Sequence, residues 1–390
     1  MKIQSHRSII ATVAVVLFSR KIGCRGFSIE KPTTTTSATL SSPILIASPE
    51  NDGNSSDVPK FDVGCVANPV ILPPCTDGGE WQCYYYGNAG SWNHGHKCFL
   101  PTGSSGLATS KDGFSWTKVF SDKTTDGTIL GPSENGWDSV HTGVGDVIRV
   151  PGKDTDELHM YYFGGDDEEI SFGLAGGSVV GFRMRIGRAK SYDNGRTWTK
   201  DDTFLLDYDE SEGFFASWPR IVAFDDDNKT PWKMFYHAFN GKKWKVFGAE
   251  STDGGDTWIR TGLVLEGSES EDDFDFSGIG TRDITQWKDG LLMIYEGVGQ
   301  KGIHRLGAAY CDSNDNKWRK LNDGKPILEP GKGPLGEWTK QVIGTPYVLH
   351  MPDGSLRIYH CAKNAPDAKM SIGVVVSESG GIEPDCWTAV

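Results

Sequence analysis

From about Phe61 onward, short runs of β-branched and aromatic residues alternate with clusters of Gly, Asp, Asn and Pro. No stretch carries the spacing of a long amphipathic helix. The most apolar runs, residues 81–86, 157–163, 232–237, 291–296 and 356–360, read as strands. Each follows another strand-like run (61–71, 137–148, 214–222, 280–284, 344–348). Each precedes a third (106–108, 185–189, 245–249, 306–309, 370–374). A signature then closes the unit. It reads Ser191-Tyr192-Asp193-Asn194-Gly195-Arg196-Thr197-Trp198 and again Ser251-Thr252-Asp253-Gly254-Gly255-Asp256-Thr257-Trp258. A shorter copy runs from Ser110 to Trp116, a decayed one from Cys311 to Trp318, and a loose one from Ser377 to Trp387. The Asp side chain can accept backbone N–H bonds and Gly permits positive φ, so the motif predicts a tight turn. The Trp then anchors a fourth strand. Five anchors predict five repeats of four strands, and such repetition points to a repeat fold. The expected class is all-β: a five-bladed β-propeller of four-stranded antiparallel blades, residues 59–390 forming a single domain. An open β-sandwich is the rival.

Composition narrows the partners. The chain has 390 residues, a formal charge of -13, and 52 acidic against 39 basic residues. No basic tract stands out, which argues against a nucleic-acid backbone or an anionic membrane surface as partner. A monomer without stable membrane insertion is expected. Residues 1–58 read as a targeting segment and flexible leader. Lys2, His6 and Arg7 precede an apolar run, 9–18, that is too short to span a bilayer but suits a signal peptide. Secretion or a lumenal compartment follows. The Ser/Thr-rich stretch 33–42, with Phe27 after Cys24-Arg25-Gly26, also resembles the plastid-targeting sequences of algae with secondary plastids. In an oxidising compartment Cys65, Cys75, Cys83 and Cys98 could form two disulfides of unreadable pairing. Asn54 and Asn228 begin glycosylation sequons.

The repeat plan resembles that of the five-bladed β-propeller glycoside hydrolases: arabinanases, β-xylosidases, invertases and related phosphorylases. The resemblance covers Phe61 to the C-terminus. The Ser-x-Asp turns also resemble the Asp-boxes of sialidases, which are structural there and lie away from the active site. The resemblance implies a carbohydrate in the central depression and catalytic carboxylates on the inner strands. It puts Asp62 in the place of the first-blade aspartate.

Glycosidic cleavage generally uses two carboxylates flanking the bond. Asp62 precedes Pro69 by the interval that separates Glu212 from Pro219, so the repeat itself suggests a pair. Asp62 is expected as base or nucleophile, Glu212 as general acid, and Asp138 as the neighbour that raises the acid's pKa. Each is also the kind of residue that merely caps a turn. Glu296 is the rival acid, because the fourth inner strand offers no glutamate. His141, Trp218, Arg220, Arg282, Asp283 and His237 are candidates for the pocket wall; Arg282 could equally clamp Asp283. No cofactor is required. The run Asp225–Asp227 allows a structural calcium ion, and the histidines are too dispersed for zinc. The favoured activity is cleavage of a glycosidic bond by hydrolysis or phosphorolysis. The alternatives are a non-catalytic carbohydrate-binding propeller, or another enzyme of specialised metabolism on the same scaffold, acting on a small polar substrate.

Overall fold

The structure is a computed structural model. It describes residues 42–49, 60–76, 78–90, 97–98, 100, 102–120, 126–154, 156–171, 178–224 and 230–390. The apolar targeting run, the asparagines of both sequons and the Asp225–Asp227 run lie outside the described residues.

Five four-stranded antiparallel units follow one another along the chain, as blades of a propeller would. The first contains Cys65–Leu72, Trp81–Asn88, Gly103–Ser110 and Trp116–Val119. The second contains His141–Arg149, Leu158–Gly165, Met184–Ser191 and Thr199–Lys200. The third contains Ser217–Val222, Trp232–Phe239, Trp244–Ser251 and Ile259–Glu266. The fourth contains Gly278–Trp287, Gly290–Val298, His304–Asp312 and Trp318–Lys320. The fifth contains Val342–His350, Leu356–Lys363, Ser371–Ser377 and Thr388–Ala389. One parallel bridge, Trp244 to Gly278, joins the third sheet to the fourth. Lys97–Cys98, Ser178–Val180 and Ile170–Ser171 make a small extra sheet from the insertions of the first two units.

The first strand of each unit is the inner one. It contacts the inner strand of the next unit, and that of the fifth contacts that of the first. Second strands are almost wholly buried because their residues are apolar on both faces, for example Tyr84, Tyr85, Tyr161, Tyr162, Leu292 and Ile358.

The Ser-x-Asp turns are built alike in the first three units. Ser191 Oγ donates to Asp193 Oδ1 at 2.8 Å and accepts the Gly195 N–H at 2.9 Å. Asp193 Oδ1 also accepts the Thr197 N–H at 2.8 Å. Asp253 and Asp112 repeat the pattern. Gly195 needs to be glycine twice over. Its φ is +80°, and a Cβ there would lie 1.8 Å from the Tyr84 hydroxyl of the preceding sheet. The fourth and fifth connections use other bonds, Asn314 N to Asp312 and Ser377 Oγ to Gly381 O.

The turn also delivers a Trp to the neighbouring sheet, edge to face. Trp198 meets Tyr84, Trp258 meets Tyr161, Trp318 meets Phe235, and Trp116 meets Tyr359 of the fifth sheet. Such pairs add about 0.5–1.5 kcal/mol beyond the area they bury. The first turn is bonded there too: Tyr359 donates to Gly113 O at 3.0 Å.

Residues 42–49 belong to the packed structure, although their sequence reads as leader. Ile44 N and Ile372 N bond across to Ile372 O and Leu45 O, at 2.8 and 2.9 Å. Leu45 and Ala47 are buried, and Ser48 accepts from Lys118 of the first sheet at 3.0 Å. Cys65, Cys75, Cys83, Cys311, Cys361 and Cys386 are all free thiols, so the expected disulfides among the first three do not form.

Candidate functional site

Every inner strand carries a register shift against its partner. In three of them the residue before a proline falls at the shift and takes a left-handed conformation. These are Asn68 (φ 52°), Trp218 (φ 48°) and Thr345 (φ 43°). Asparagine tolerates that region; a β-branched or bulky residue seldom does, and a following proline favours extended backbone instead. All three line one cavity of about 350 Å³. Cys65, Tyr86, Asn88, Leu100, Lys363 and Met370 are also on its wall. The cavity thus opens where inner strands begin and second strands end, opposite the Ser-x-Asp turns. Trp218 is held by ring contacts with Phe163, at 4.0 Å between centroids, and His237, at 5.0 Å.

Beyond this cavity the inner strands are locked by buried charge. Arg220 donates to the backbone carbonyls of Gly145 and Arg282, approaches Asn68 Oδ1 at 3.4 Å and Asp283 at 3.5 Å, and stacks over Tyr347. Asp146 accepts the Ile221 N–H at 2.7 Å, and Asp283 accepts the Val348 N–H at 2.7 Å. Burial raises Asp146 to about 7 and Asp283 to about 6, with Arg220 opposing. Arg282 donates to the Trp218 and Phe235 carbonyls and meets His237 Nδ1 at 3.3 Å. Arg220, Arg282, Asp283 and His237 therefore join sheets to one another, and none of them is among the cavity-wall residues. Charged groups this buried are costly unless fully paired.

A different carboxylate reaches the cavity wall from behind. Glu296 Oε2 accepts from the Thr281 hydroxyl and, at 3.2 Å, from the N–H of the strained Thr345. Its Oε1 accepts from His304 Nδ1. Glu296 is 7 % exposed, and a Cβ on Gly344 would lie 2.6 Å from its Oε1. Burial pushes its carboxyl up, but His304, Thr281 and the Thr345 N–H outweigh this and hold it below the usual value. His304 moves the other way: burial lowers it, and Glu296 raises it by more.

Asp62, Asp138 and Glu212 are not brought together. Each holds a buried post within its own sheet. Asp62 accepts from Tyr85 on the second strand at 2.9 Å and from Lys118 on the outer strand at 2.6 Å. Asp138 is bound the same way by Tyr162 at 3.0 Å and Lys200 at 2.6 Å. Glu212 is bound by Tyr236 at 2.8 Å and Arg260 at 3.3 Å. Asp275, which the sequence reading passed over, makes the fourth copy with Tyr295 at 3.2 Å and Lys320 at 2.6 Å. In three copies the preceding aromatic, Phe61, Trp137 or Phe274, stacks on the same Tyr. The fifth sheet has Trp338 stacked on His360 instead, followed by the uncharged Thr339. The shared interval to proline thus marks a repeated clamp between the inner and outer strands of one sheet.

His141 is buried, its Nε2 2.7 Å from Gly181 O and its ring against Phe163. Missed by sequence reasoning were Asn68, Thr345 and His304. The first two had a signal: both stand before prolines at equivalent strand positions. Among the described residues no group of three or more His, Cys, Asp or Glu could hold a metal ion. Nor is any helix there long and apolar enough to cross a membrane.

No family model matches the sequence, and no curated protein matches it either. Solved structures do match. A glycoside hydrolase is 17 % identical, with a TM-score of 0.59 over 88 % of this chain and 93 % of its own. A thermostable family-43 glycoside hydrolase is 15 % identical, with a TM-score of 0.56 over 82 % of this chain and 92 % of its own. The family-32 β-fructofuranosidase of Bombyx mori is 13 % identical, with a TM-score of 0.56 over 86 % of this chain and 62 % of its own. At such identities the likeness is one of architecture: this chain has the fold of the family-43 and family-32 glycosidases.

Proposed function

We propose that the five sheets close into a five-bladed propeller and that the cavity at the mouth of its axis binds a carbohydrate whose glycosidic bond is cleaved there. Ring closure is supported by the cyclic contacts of the inner strands and by Trp116 reaching the fifth sheet. One observation carries the site: three left-handed non-glycine residues, Asn68, Trp218 and Thr345, line one cavity, and one of them turns its N–H to a carboxylate. Backbone strain of this kind persists only where the surroundings enforce it, and it gathers at active sites. The cavity is of ligand size. The indole of Trp218 offers a flat face to a sugar ring, and Asn68, Asn88 and Thr345 offer polar groups to hydroxyls. Glu296 is the ionised carboxylate of the site.

A purely sugar-binding role is the second reading. It is favoured by the absence of any carboxylate from the cavity wall among the described residues, Glu296 standing behind Thr345. Chromogenic glycosides and oligosaccharides, tested on residues 42–390 with and without phosphate, separate the two. Turnover that is lost in E296Q and W218A is the expected result. Saturable sugar binding without turnover would establish the second reading. Neither binding nor turnover would refute both.

A further inference from the structure

Cleavage needs a group that gives a proton to the leaving oxygen, and Glu296 is badly placed to be that group. Its two oxygens accept three bonds, from Thr281, Thr345 and His304. A carboxylate held by donors on both oxygens stays ionised. The titratable groups facing Glu296 come from three elements. Cys361 on the fifth sheet is pushed up to about 12 by burial and so stays a neutral thiol. His237 on the third sheet is held down to about 3 by burial and by Arg282, and so stays neutral. His304, at the start of the fourth sheet's third strand, is the one bonded to Glu296, which outweighs burial and raises it above its ordinary value.

We propose that His304 is the proton donor of the site, oriented by Glu296; this rests on the glycosidase reading above. Nδ1 is taken by Glu296, which leaves Nε2 as the free nitrogen of a side chain that is 30 % exposed. Glu296 joins the imidazole to Thr345, and Thr345 lines the cavity. His304 is not itself on the cavity wall, but it begins the third strand where Glu296 nears the end of the second, the end of the sheets at which the cavity lies. The assignment therefore requires a substrate that reaches past Thr345 to Nε2. The glycosidic C–O bond breaks, its electron pair going to the leaving oxygen, which takes the Nε2 proton. A water oxygen bonds to the anomeric carbon, and the proton it sheds restores the imidazolium. Glu296 is a positioning residue. It fixes the tautomer and stabilises the charged ring, as carboxylates do for histidines that transfer protons.

Two measurements on residues 42–390 test this. In the first, the p-nitrophenyl glycosides turned over by the wild type are offered to H304Q and H304A. The expected result is a fall in kcat of about 10²-fold or more with KM little changed. Added imidazole should restore part of the H304A activity, which a merely structural role would not permit. In the second, the His304 ring is titrated by NMR in the wild type and E296Q. Its pKa should drop in E296Q, and the alkaline limb of the wild-type rate profile should follow the wild-type value. Full activity in a folded H304Q overturns this assignment alone. So does an alkaline limb unrelated to the His304 titration. No turnover by the wild type overturns the reading of the site, and this assignment with it.

Discussion

Two sets of buried carboxylates occupy this molecule, and they are bound in opposite ways. Asp62, Asp138, Glu212 and Asp275 each take a tyrosine and a cation from their own sheet, and the same bonds recur in four units. Glu296 takes a histidine and a threonine from its own sheet and a strained backbone N–H from the next. The first set does something four of the five sheets share, which is to tie the outer strand to the segment that enters the inner one. The second stands outside the repeat. In a repeat protein an acid that recurs from unit to unit serves the unit. An acid without counterparts is the one to examine for chemistry.

Removing a clamp should have the largest effect on folding. D62A leaves the partly buried Lys118 cation with Ser48 as its remaining partner and the buried Tyr85 hydroxyl without its acceptor. Breaking such a pair costs about 3–5 kcal/mol, which urea denaturation would register. If D62A were inactive yet as stable as the parent, the clamp would be chemistry after all. E296Q keeps a side chain of the same shape. It should lose about 10²-fold in glycoside turnover, equivalent to about 2.7 kcal/mol, with a much smaller change in melting temperature than D62A. Comparable losses of stability in both would erase the distinction. Beginning the chain at residue 59 removes the buried Leu45 and Ala47. That truncation should cost about 2–3 kcal/mol relative to residues 42–390, and equal melting temperatures would show the segment to be passive.

Acidity probes the comparison from another side. Asp146 and Asp283 sit above their ordinary value of 3.8, raised by burial against the pull of Arg220. Between about pH 4 and 7 the folded chain therefore holds more protons at these sites than the unfolded one. Their contribution to stability is fully present below about pH 4 and is lost as pH rises through about 6 to 7. D146N and D283N should flatten that part of a stability profile, since asparagine still accepts the Ile221 or Val348 N–H. A profile unchanged in both variants would show the locked charges to be silent. The Ser-x-Asp turns work in the other direction and more weakly. Hydrogen bonds from Thr257 and Ser251 outweigh burial and lower Asp253 to about 2. Its contribution is present above about pH 4 and is lost as pH falls toward 2. D253A should cost about 1 kcal/mol, the smallest effect of the series.

The strands and turns were legible because their chemistry is local. Alternating apolar runs, an Asp that folds back on its own backbone and a Trp at a set distance are all visible in one dimension. The clamp was half legible. The interval from Asp62 to Pro69 repeats at Glu212, but its partners Lys118 and Arg260 lie on the outer strands, so the interval could be read as an active-site register. Asp275 escaped notice because its own inner strand has Arg282-Asp283 where others have proline. Glu296 stood out as a candidate, whereas His304 did not. Their pairing depends on the register of adjacent strands, in which Glu296 sits opposite Leu306 and His304 opposite Val298. Thr345 was hidden for a further reason: its importance is a backbone angle, which no side-chain pattern announces.

The first-sheet turn and residues 42–49 both dock on the fifth sheet, so the earliest of the described residues are completed by strands far along the chain. That arrangement bears on the order of assembly. A nascent chain can form its first four sheets one after another, each from local hairpins. The outer seam of the first, with Trp116 and Leu45 uncovered, must wait for strands made after the other four sheets. Contacts so distant in sequence fold slowly, and the waiting surface is apolar. A nascent chain is therefore most open to aggregation while four sheets have been made and the fifth has not.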